Sequence, residues 1–399
     1  MLDPLFNGFL LFMAVIWIMG LTRKLWLVRF TSSLKSHRIL VPAIVWAVFL
    51  AFAASYVLWF DQIADVHDIP QAVSGAVTGL DQGENPYVDH IVPRFESGYN
   101  PRPSVDLGTY NYLPFDLLVY SGAHSLLGVF GFPMWFAIAN VIFCFAALAL
   151  FRVLVPIKLR VYIPAAGLVI LFYSFDNGSL TMLLVAASIL ALARIRWHPE
   201  IISVIIMGLA AMTKVYAVIP FAVLVLWLLH KHLGSRDVLQ TAKVAGAVGA
   251  SAMIGVVLML PFGVMHVLDS AVFFHASAST RVGTSSGGTL LMQVGLGSQG
   301  FVLVAIASLV AAVVVSLAFR SLNDRMILGS LVMLLVAAKS SMSMATVTGL
   351  FLVLEAWRLS RPAFQVDTAS VDRIKNTRRY WALRDRPLSS RPLSWWDRL

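Results

Sequence analysis

The stretch from Pro133 to Val153 reads PMWFAIANVIFCFAALALFRV and carries no charged side chain before Arg152. A run of about 20 apolar residues is what an α-helix needs to cross the hydrocarbon core of a bilayer. The whole chain of 399 residues has this character, because 59% of its residues are hydrophobic and only 13% are charged. A soluble domain of this length would carry about 25% charged residues. The sequence therefore predicts an integral membrane protein.

Ten further apolar stretches are predicted to cross the membrane, giving about eleven transmembrane helices in an all-α, polytopic fold. They are Leu5–Leu21, Ile39–Trp59, Val161–Phe175, Leu180–Ala193, Ile201–Thr213, Val215–Leu229, Val244–Phe262, Phe301–Phe319, Met326–Ala338 and Met344–Trp357. The first has no basic segment before it and no cleavage site after it, so it is interpreted as a retained helix rather than a signal peptide. Several are short, and short helices often end beside a binding cavity.

Basic residues decide the predicted orientation. Five of them lie between the first two spans, at Arg23, Lys24, Arg29, Lys35 and Arg38. The positive-inside rule makes this loop cytoplasmic, which places the N-terminus and the loop 60–112 outside the cell. The later basic clusters, from Arg152 onward, then face the cytoplasm only if the ambiguous stretch Leu113–Phe130 does not cross. This stretch is therefore interpreted as a re-entrant or interfacial helix.

The predicted organisation has three parts. Residues 1–38 form an extra N-terminal helix and its basic loop, residues 39–360 form the main transmembrane module, and residues 361–399 form a basic cytoplasmic tail. The expected location is the plasma membrane, with an extracytoplasmic N-terminus and a cytoplasmic C-terminus. The net charge of +10 is attributed to loops that face anionic lipid, and no nucleic-acid partner is expected.

Three cations depart from this charge pattern, because Lys214, Arg281 and Lys339 fall on the predicted extracytoplasmic side. Ionisable residues at membrane depth are costly and usually functional. Three cations on one side of a bundle would suit an anionic group such as a lipid phosphate. The alternative is that each side chain extends to the interface and pairs locally.

The loop 60–112 combines acidic and aromatic residues. They are Asp61, Asp65, Asp68, Asp81, Glu84, Asp89, Glu96 and Asp106, with Tyr87, Tyr99, Tyr110 and Tyr112. Carboxylates accept hydrogen bonds from hydroxyls and aromatic rings stack on sugar faces, so a carbohydrate-like ligand is predicted; a solvated acidic loop is the alternative. Asp65 and Asp68 have a spacing that metal ligands use, but no second cluster with ligand spacing accompanies them, and no metal is predicted.

A series of short motifs runs from about Asp61 to Arg281. It comprises Asp68, Gly83-Glu-Asn-Pro-Tyr87, Tyr110-Asn-Tyr-Leu-Pro114, Asn177-Gly-Ser179, Gly208-Leu-Ala-Ala-Met-Thr-Lys214, Leu260-Pro-Phe262, Phe273-Phe-His275 and Arg281. In order and spacing the series resembles the GT-C superfamily of integral membrane glycosyltransferases. It is most similar to the bacterial polyprenyl-phosphate-mannose-dependent mannosyltransferases of the DUF2029 type. The chain departs from the family at Ala72, where a tyrosine is expected.

The resemblance implies an inverting enzyme that needs no cofactor and works on the extracytoplasmic face. It would move a sugar, with mannose as first choice, from a polyprenyl-phosphate donor to a lipid or glycan acceptor. Asp68, with Asp65 as second candidate, would be the general base. The candidates for binding the donor phosphate are Lys214, Arg281, His275 and Lys339, and the candidates for binding substrate are Asn85, Tyr87, Tyr110 and Tyr112.

Two other functions stay open at this point. A transporter or flippase of lipid-linked or polar solutes would also use short helices and charges at membrane depth. The large acidic loop and the lack of internal repeats in the sequence favour the enzyme. A non-catalytic membrane subunit with a GT-C-like fold is the third possibility, because Ala72 replaces the family's tyrosine.

Overall fold

The computed structural model describes residues 40–60, 68–89, 108–154, 160, 163–172, 178–214 and 217–273, with a few isolated helical positions between 310 and 326. The described residues are helical or lie in turns, and no β-strand occurs among them. The predicted spans Leu5–Leu21 and Met344–Trp357, and nearly all of Phe301–Phe319 and Met326–Ala338, lie outside this part of the chain. Asp65, His275, Arg281 and Lys339 lie outside it as well.

The structure describes ten α-helices. In chain order they are α1 (Leu40–Leu58), α2 (Asp68–Asp81), α3 (Pro114–Leu127), α4 (Met134–Leu154), α5 (Ile163–Phe172), α6 (Gly178–Arg194), α7 (Pro199–Ala211), α8 (Val218–Gly234), α9 (Val238–Met259) and α10 (Val264–Val267). Short 3₁₀ segments at Gly128–Phe130 and Leu260–Phe262 follow α3 and α9, and a π-helical segment, Leu268–Phe273, follows α10.

Each of the seven spans predicted within the described residues is a helix, which confirms the all-helical prediction for this part of the chain. Within the described residues, two segments are long and apolar enough to cross a membrane: Met134–Leu154, with 21 residues, and Val238–Phe262, with 25. The other apolar helices are shorter, and α7, with 13 residues, extends only about 20 Å. The number of eleven crossings stays a prediction.

Helix α6 lies at the centre of the described bundle. It packs against α4 on one side and α7 on the other, while α7 also contacts α8 and α9. Helices α1 and α5 pack beside α4, α3 packs against α4, and α2 packs against α3. Small residues permit the closest approaches, since a Cβ on Gly208 of α7 would lie 2.8 Å from the Ser251 Cβ of α9. Such small-residue contacts are typical of helix packing in membranes.

The two ends of the bundle differ in charge. At one end, called the basic end, Arg194 of α6 donates to the Val153 carbonyl of α4, and Lys231 of α8 lies 2.9 Å from Glu200 of α7. At the other end the rings of Phe60 and Phe136, from the end of α1 and the start of α4, are 5.7 Å apart. The chain between α1 and α4 therefore leaves and returns at the same end. That end carries Asp81, Glu84, Asp89 and Asp116 and is called the acidic end.

Candidate functional site

Three tyrosines from the predicted external loop lie together at the acidic end. The rings of Tyr87 and Tyr110 are 5.7 Å apart, and those of Tyr110 and Tyr112 are 5.4 Å apart. Tyr87 and Tyr110 are buried in the same hydrophobic cluster as Phe60 and Phe136. Tyr87, Tyr110 and Tyr112 are called the tyrosine cluster. They cap this end of the bundle, and three of the four predicted substrate-binding residues therefore lie together.

Hydrogen bonds hold the two loop segments of the cluster together. The Tyr110 backbone N–H donates to the Pro86 carbonyl at 2.7 Å, and the Tyr87 hydroxyl donates to the Tyr112 carbonyl at 2.8 Å. The side chain of Asn85, the fourth predicted substrate-binding residue, donates to the Phe262 carbonyl at 2.9 Å, just after α9. The Asn85 amide N–H and the Tyr87 hydroxyl both donate to backbone carbonyls. These two side chains therefore hold the loop segments that line the site.

The hydroxyl of Tyr110 donates to the Asp116 carboxylate of α3 at 2.8 Å, and both side chains are fully buried. Burial, with the charge of Asp116 as the second cause, raises the pKa of Tyr110 well above its ordinary value. The pKa of Tyr87 is raised for the same two reasons. Asp116 was not among the site residues predicted from the sequence. A lone acidic residue in the first turn of an apolar helix was the available signal for this buried contact.

Lys214 is the predicted phosphate-binding residue that the structure describes. It lies three residues beyond α7, is only 7% exposed, and its Nζ is 4.5 Å from the centroid of the Tyr112 ring. The neighbouring Thr213 hydroxyl donates to the Ala210 carbonyl at 2.7 Å and lies 2.8 Å from the Thr181 hydroxyl of α6. The end of α7 is thereby fixed to α6, and the lysine is held against the tyrosine cluster.

Helix α2 begins at Asp68, the first candidate for the general base. It was not predicted as a helix, although Val73, Ala76 and Val77 recur at helical spacing and pack into the cluster that contains the tyrosines. A helix N-terminus favours a negatively charged residue. Ala72, where the family has a tyrosine, is 8% exposed, so a larger side chain would require the surrounding residues to move.

A cavity of about 560 Å³ lies beside this cluster. It is lined by Leu80 and Asn85 near the end of α2, by Leu118 of α3, and by Val257 and Phe262 near the end of α9. Its lining is largely apolar, and Val257 and Leu118 are 54% and 39% exposed on the side of the bundle. Among the described residues no group of three His, Cys, Asp or Glu side chains is arranged to hold a metal ion.

No protein-family model, curated protein or solved structure matches this chain.

Proposed function

We propose that this chain is a multi-pass membrane glycosyltransferase of the GT-C type, which transfers a sugar, with mannose as first choice, from a polyprenyl-phosphate donor to a lipid or glycan acceptor. The observation that carries the proposal is the buried ammonium of Lys214 against the tyrosine cluster, at the acidic end of a helical bundle. In a donor that carries a sugar on a phosphate, the cation would bind the phosphate, and the aromatic rings and carboxylates would bind the sugar.

Lys214 would stabilise the leaving group. As the bond between the anomeric carbon and the phosphate oxygen breaks, its electron pair stays on the phosphate and negative charge develops there. A preformed cation in a site with little water stabilises such charge far more than the same cation in bulk water. The position of Lys214, 7% exposed and held at the fixed end of α7, supports this role.

Asp68 would take the proton from the acceptor hydroxyl as the hydroxyl oxygen attacks the anomeric carbon, which inverts its configuration. Its place at the start of α2 supports this assignment, because α2 packs into the cluster that contains Tyr87 and Tyr110. Carboxylates near the N-terminus of a helix are stabilised as anions, and the anion is the form in which a carboxylate acts as a general base. Asp65 remains the second candidate.

The membrane topology of the proposal is supported by the separation of charge. The acidic end would face outward and the basic end, with Arg152, Arg194 and Arg236, would face the cytoplasm. Helix α3 would not cross, because the chain between Phe60 and Phe136 starts and finishes at the same end. The apolar cavity beside Asn85 opens at the side of the bundle and would admit the polyprenyl chain from the bilayer.

The test is transfer of radiolabelled mannose from polyprenyl-phosphate mannose to a lipid acceptor pool by the purified full chain. Lys214→Ala should lower kcat/KM by about 100-fold, the usual effect of losing one group that stabilises transition-state charge. Lys231→Ala is the matched control, since Lys231 also contacts an aromatic ring, that of Trp227, but lies at the basic end. It should leave transfer unchanged. Wild-type kinetics for Lys214→Ala would contradict the role given to this lysine.

The same assay separates the candidate bases and the alternative functions. Asp68→Asn should abolish transfer while Asp65→Asn retains it; the reverse result would assign the base to Asp65. A flippase would move the labelled lipid from one leaflet of the vesicle membrane to the other and leave its sugar–phosphate bond intact. A non-catalytic subunit would do neither, so the products in the vesicles distinguish the three functions.

A further inference from the structure

A second cavity, of about 420 Å³, lies at the basic end of the bundle. The turn between α6 and α7 contributes Arg196, Trp197 and His198 to its lining, and the start of α9 contributes Gln240 and Lys243. It is separated from the tyrosine cluster by the length of α6, which is about 25 Å for 17 residues. The glycosyltransferase proposal assigns it no role. We call it the basic cavity.

Positive charge dominates this cavity. Glu200 also lines it, but its carboxylate is already bound by Lys231 at 2.9 Å and by His232 at 2.6 Å, both from α8. Arg196 and Lys243 form no ion pair with any residue in the part of the chain that the structure describes. The cavity therefore presents a guanidinium and an ammonium group whose charge no described carboxylate balances.

Exposed apolar side chains border the same cavity. Trp197, in its lining, is 73% exposed, and its ring lies 4.8 Å from that of His198. Leu239 of α9 is 65% exposed and precedes Lys243 by four residues, so the two occupy the same face of the helix. Tryptophan is enriched at membrane–water interfaces, where one part of the ring is apolar and the other is wet.

We propose that the basic cavity binds the headgroup of an anionic phospholipid. Its phosphate would contact Arg196 and Lys243, and its acyl chains would extend along Trp197 and Leu239. Basic pockets between helices on the cytoplasmic side of membrane proteins suit lipid phosphates, and the apolar border would serve a lipid but not a soluble anion. This inference rests on the membrane location in the proposed function and is independent of sugar transfer.

The test measures lipid binding to the full chain in detergent by native mass spectrometry at about 0.15 M ionic strength, where long-range attraction is screened beyond about 8 Å. The probes are phosphatidylglycerol, phosphatidylcholine and inorganic phosphate. The double variant Arg196→Gln/Lys243→Gln should weaken phosphatidylglycerol binding by about 30-fold, the product of two basic contacts. The matched control Arg152→Gln/Arg194→Gln removes the same charge at the same end but outside the cavity, and should change binding less than threefold.

Wild-type protein should prefer phosphatidylglycerol to phosphatidylcholine by at least tenfold, and inorganic phosphate at millimolar concentration should not displace the lipid. Equal binding of the two lipids, or equal losses in the double variant and its control, would overturn the proposal. Displacement by inorganic phosphate would overturn it too and would reassign the cavity to a soluble anion. None of these results depends on transferase activity, so failure here and failure of the proposed function are distinguishable.

Discussion

Tyr110 and Asp116 form a polar contact in the candidate site, with both side chains fully buried and 2.8 Å between the hydroxyl and the carboxylate oxygen. A hydrogen bond to a charged acceptor is worth about 1.5–3 kcal/mol, and its loss leaves the acceptor poorly solvated. The contact joins the loop that carries Tyr110 and Tyr112 to α3. The position of the Tyr112 ring beside Lys214 depends on this hydrogen bond between Tyr110 and Asp116.

Tyr110→Phe should lower the free energy of unfolding by about 2 kcal/mol, because the fully buried Asp116 carboxylate loses a hydrogen-bond donor. Denaturant unfolding in detergent, monitored by near-ultraviolet circular dichroism, measures the change. In an Asp116→Asn background the same substitution should cost less than about 1 kcal/mol, since the bond to a charged group is already gone. An equal cost in both backgrounds would show that the two side chains are not energetically coupled.

The same buried phenols should make the protein sensitive to alkali. The folded pKa values of Tyr87 and Tyr110 lie above the ordinary value of 10.0, so both rings stay neutral in the folded state when an unfolded chain would release the protons. Stability is therefore fully present below pH 10 and is lost as the pH rises above it, by about 1.4 kcal/mol per pH unit for each tyrosine. Melting temperatures between pH 9 and pH 11.5 measure the effect.

Tyr87→Phe/Tyr110→Phe is the control for this pH dependence. Its melting temperature should be lower at neutral pH but should fall less steeply above pH 10. An identical slope in the wild type and the double variant would mean that other groups control alkaline unfolding.

At the scale of the helices, the close approach of α7 to α9 decides where Lys214 lies. Gly208 faces Ser251 with no room for a side chain, and Gly255 of α9 is equally close to the terminal methyl of Met212. Both contacts lie within the last turns of α7 or the residues that follow it. A change that separates these helices would displace the lysine from the tyrosine cluster.

Gly208→Ala should destabilise the protein by about 1 kcal/mol. The new Cβ would lie 2.8 Å from the Ser251 Cβ, and such overpacking costs about 1–3 kcal/mol, against a gain of about 1 kcal/mol in helix propensity. Gly246→Ala is the matched control, because nothing lies within 4 Å of its Cβ position, and it should stabilise α9 by up to about 1 kcal/mol. Thermal unfolding of both variants measures whether each substitution raises or lowers stability. A stabilised Gly208→Ala would show that the contact between Gly208 and Ser251 leaves room for a methyl group.

Among the described residues, Asp81, Glu84, Asp89 and Asp116 lie at one end of the bundle, and basic residues that include Arg152, Arg194 and Arg236 lie at the other. Helix α4 runs from one end to the other, because Phe136 lies at the acidic end and Val153 at the basic end. Seventeen residues of helix separate these positions by about 25 Å, which approaches the hydrocarbon thickness of a bilayer. The proposed orientation follows from assigning the basic end to the cytoplasm.

Single-cysteine labelling in intact cells tests this orientation. Cys144, the chain's one cysteine, is buried in α4, so a Cys144→Ala background is suitable for adding reporters. A reagent that cannot cross the membrane should label Gln82→Cys, which follows α2 at the acidic end, and should not label Ser235→Cys at the basic end. Labelling of Ser235→Cys alone would invert the proposed topology.

The positions of the helices were largely predictable, since each apolar run within the described residues is a helix. Their boundaries were less so. Helix α9 begins at Val238 rather than Val244, because the Asp237 side chain accepts a hydrogen bond from the Gln240 N–H and caps it. Helix α8 continues to Gly234, five residues past the predicted end, and carries Lys231 and His232 to Glu200. Hydropathy detects burial, whereas caps and ion pairs extend helices into polar sequence.

By itself the sequence determined that this chain is helical where it is described, and which helix ends carry basic residues, because hydrophobicity and charge are properties of the local chain. Only the tertiary structure decided which polar groups meet. Asn85 bonds to Phe262 across 177 positions, and Ser270 bonds to the Tyr87 carbonyl across 183. Such contacts depend on how α2, α3, α7 and α9 pack, and no spacing in the sequence records them. The proposed site depends on that packing, which brings Lys214, the tyrosines and helix α2 to one end of the bundle.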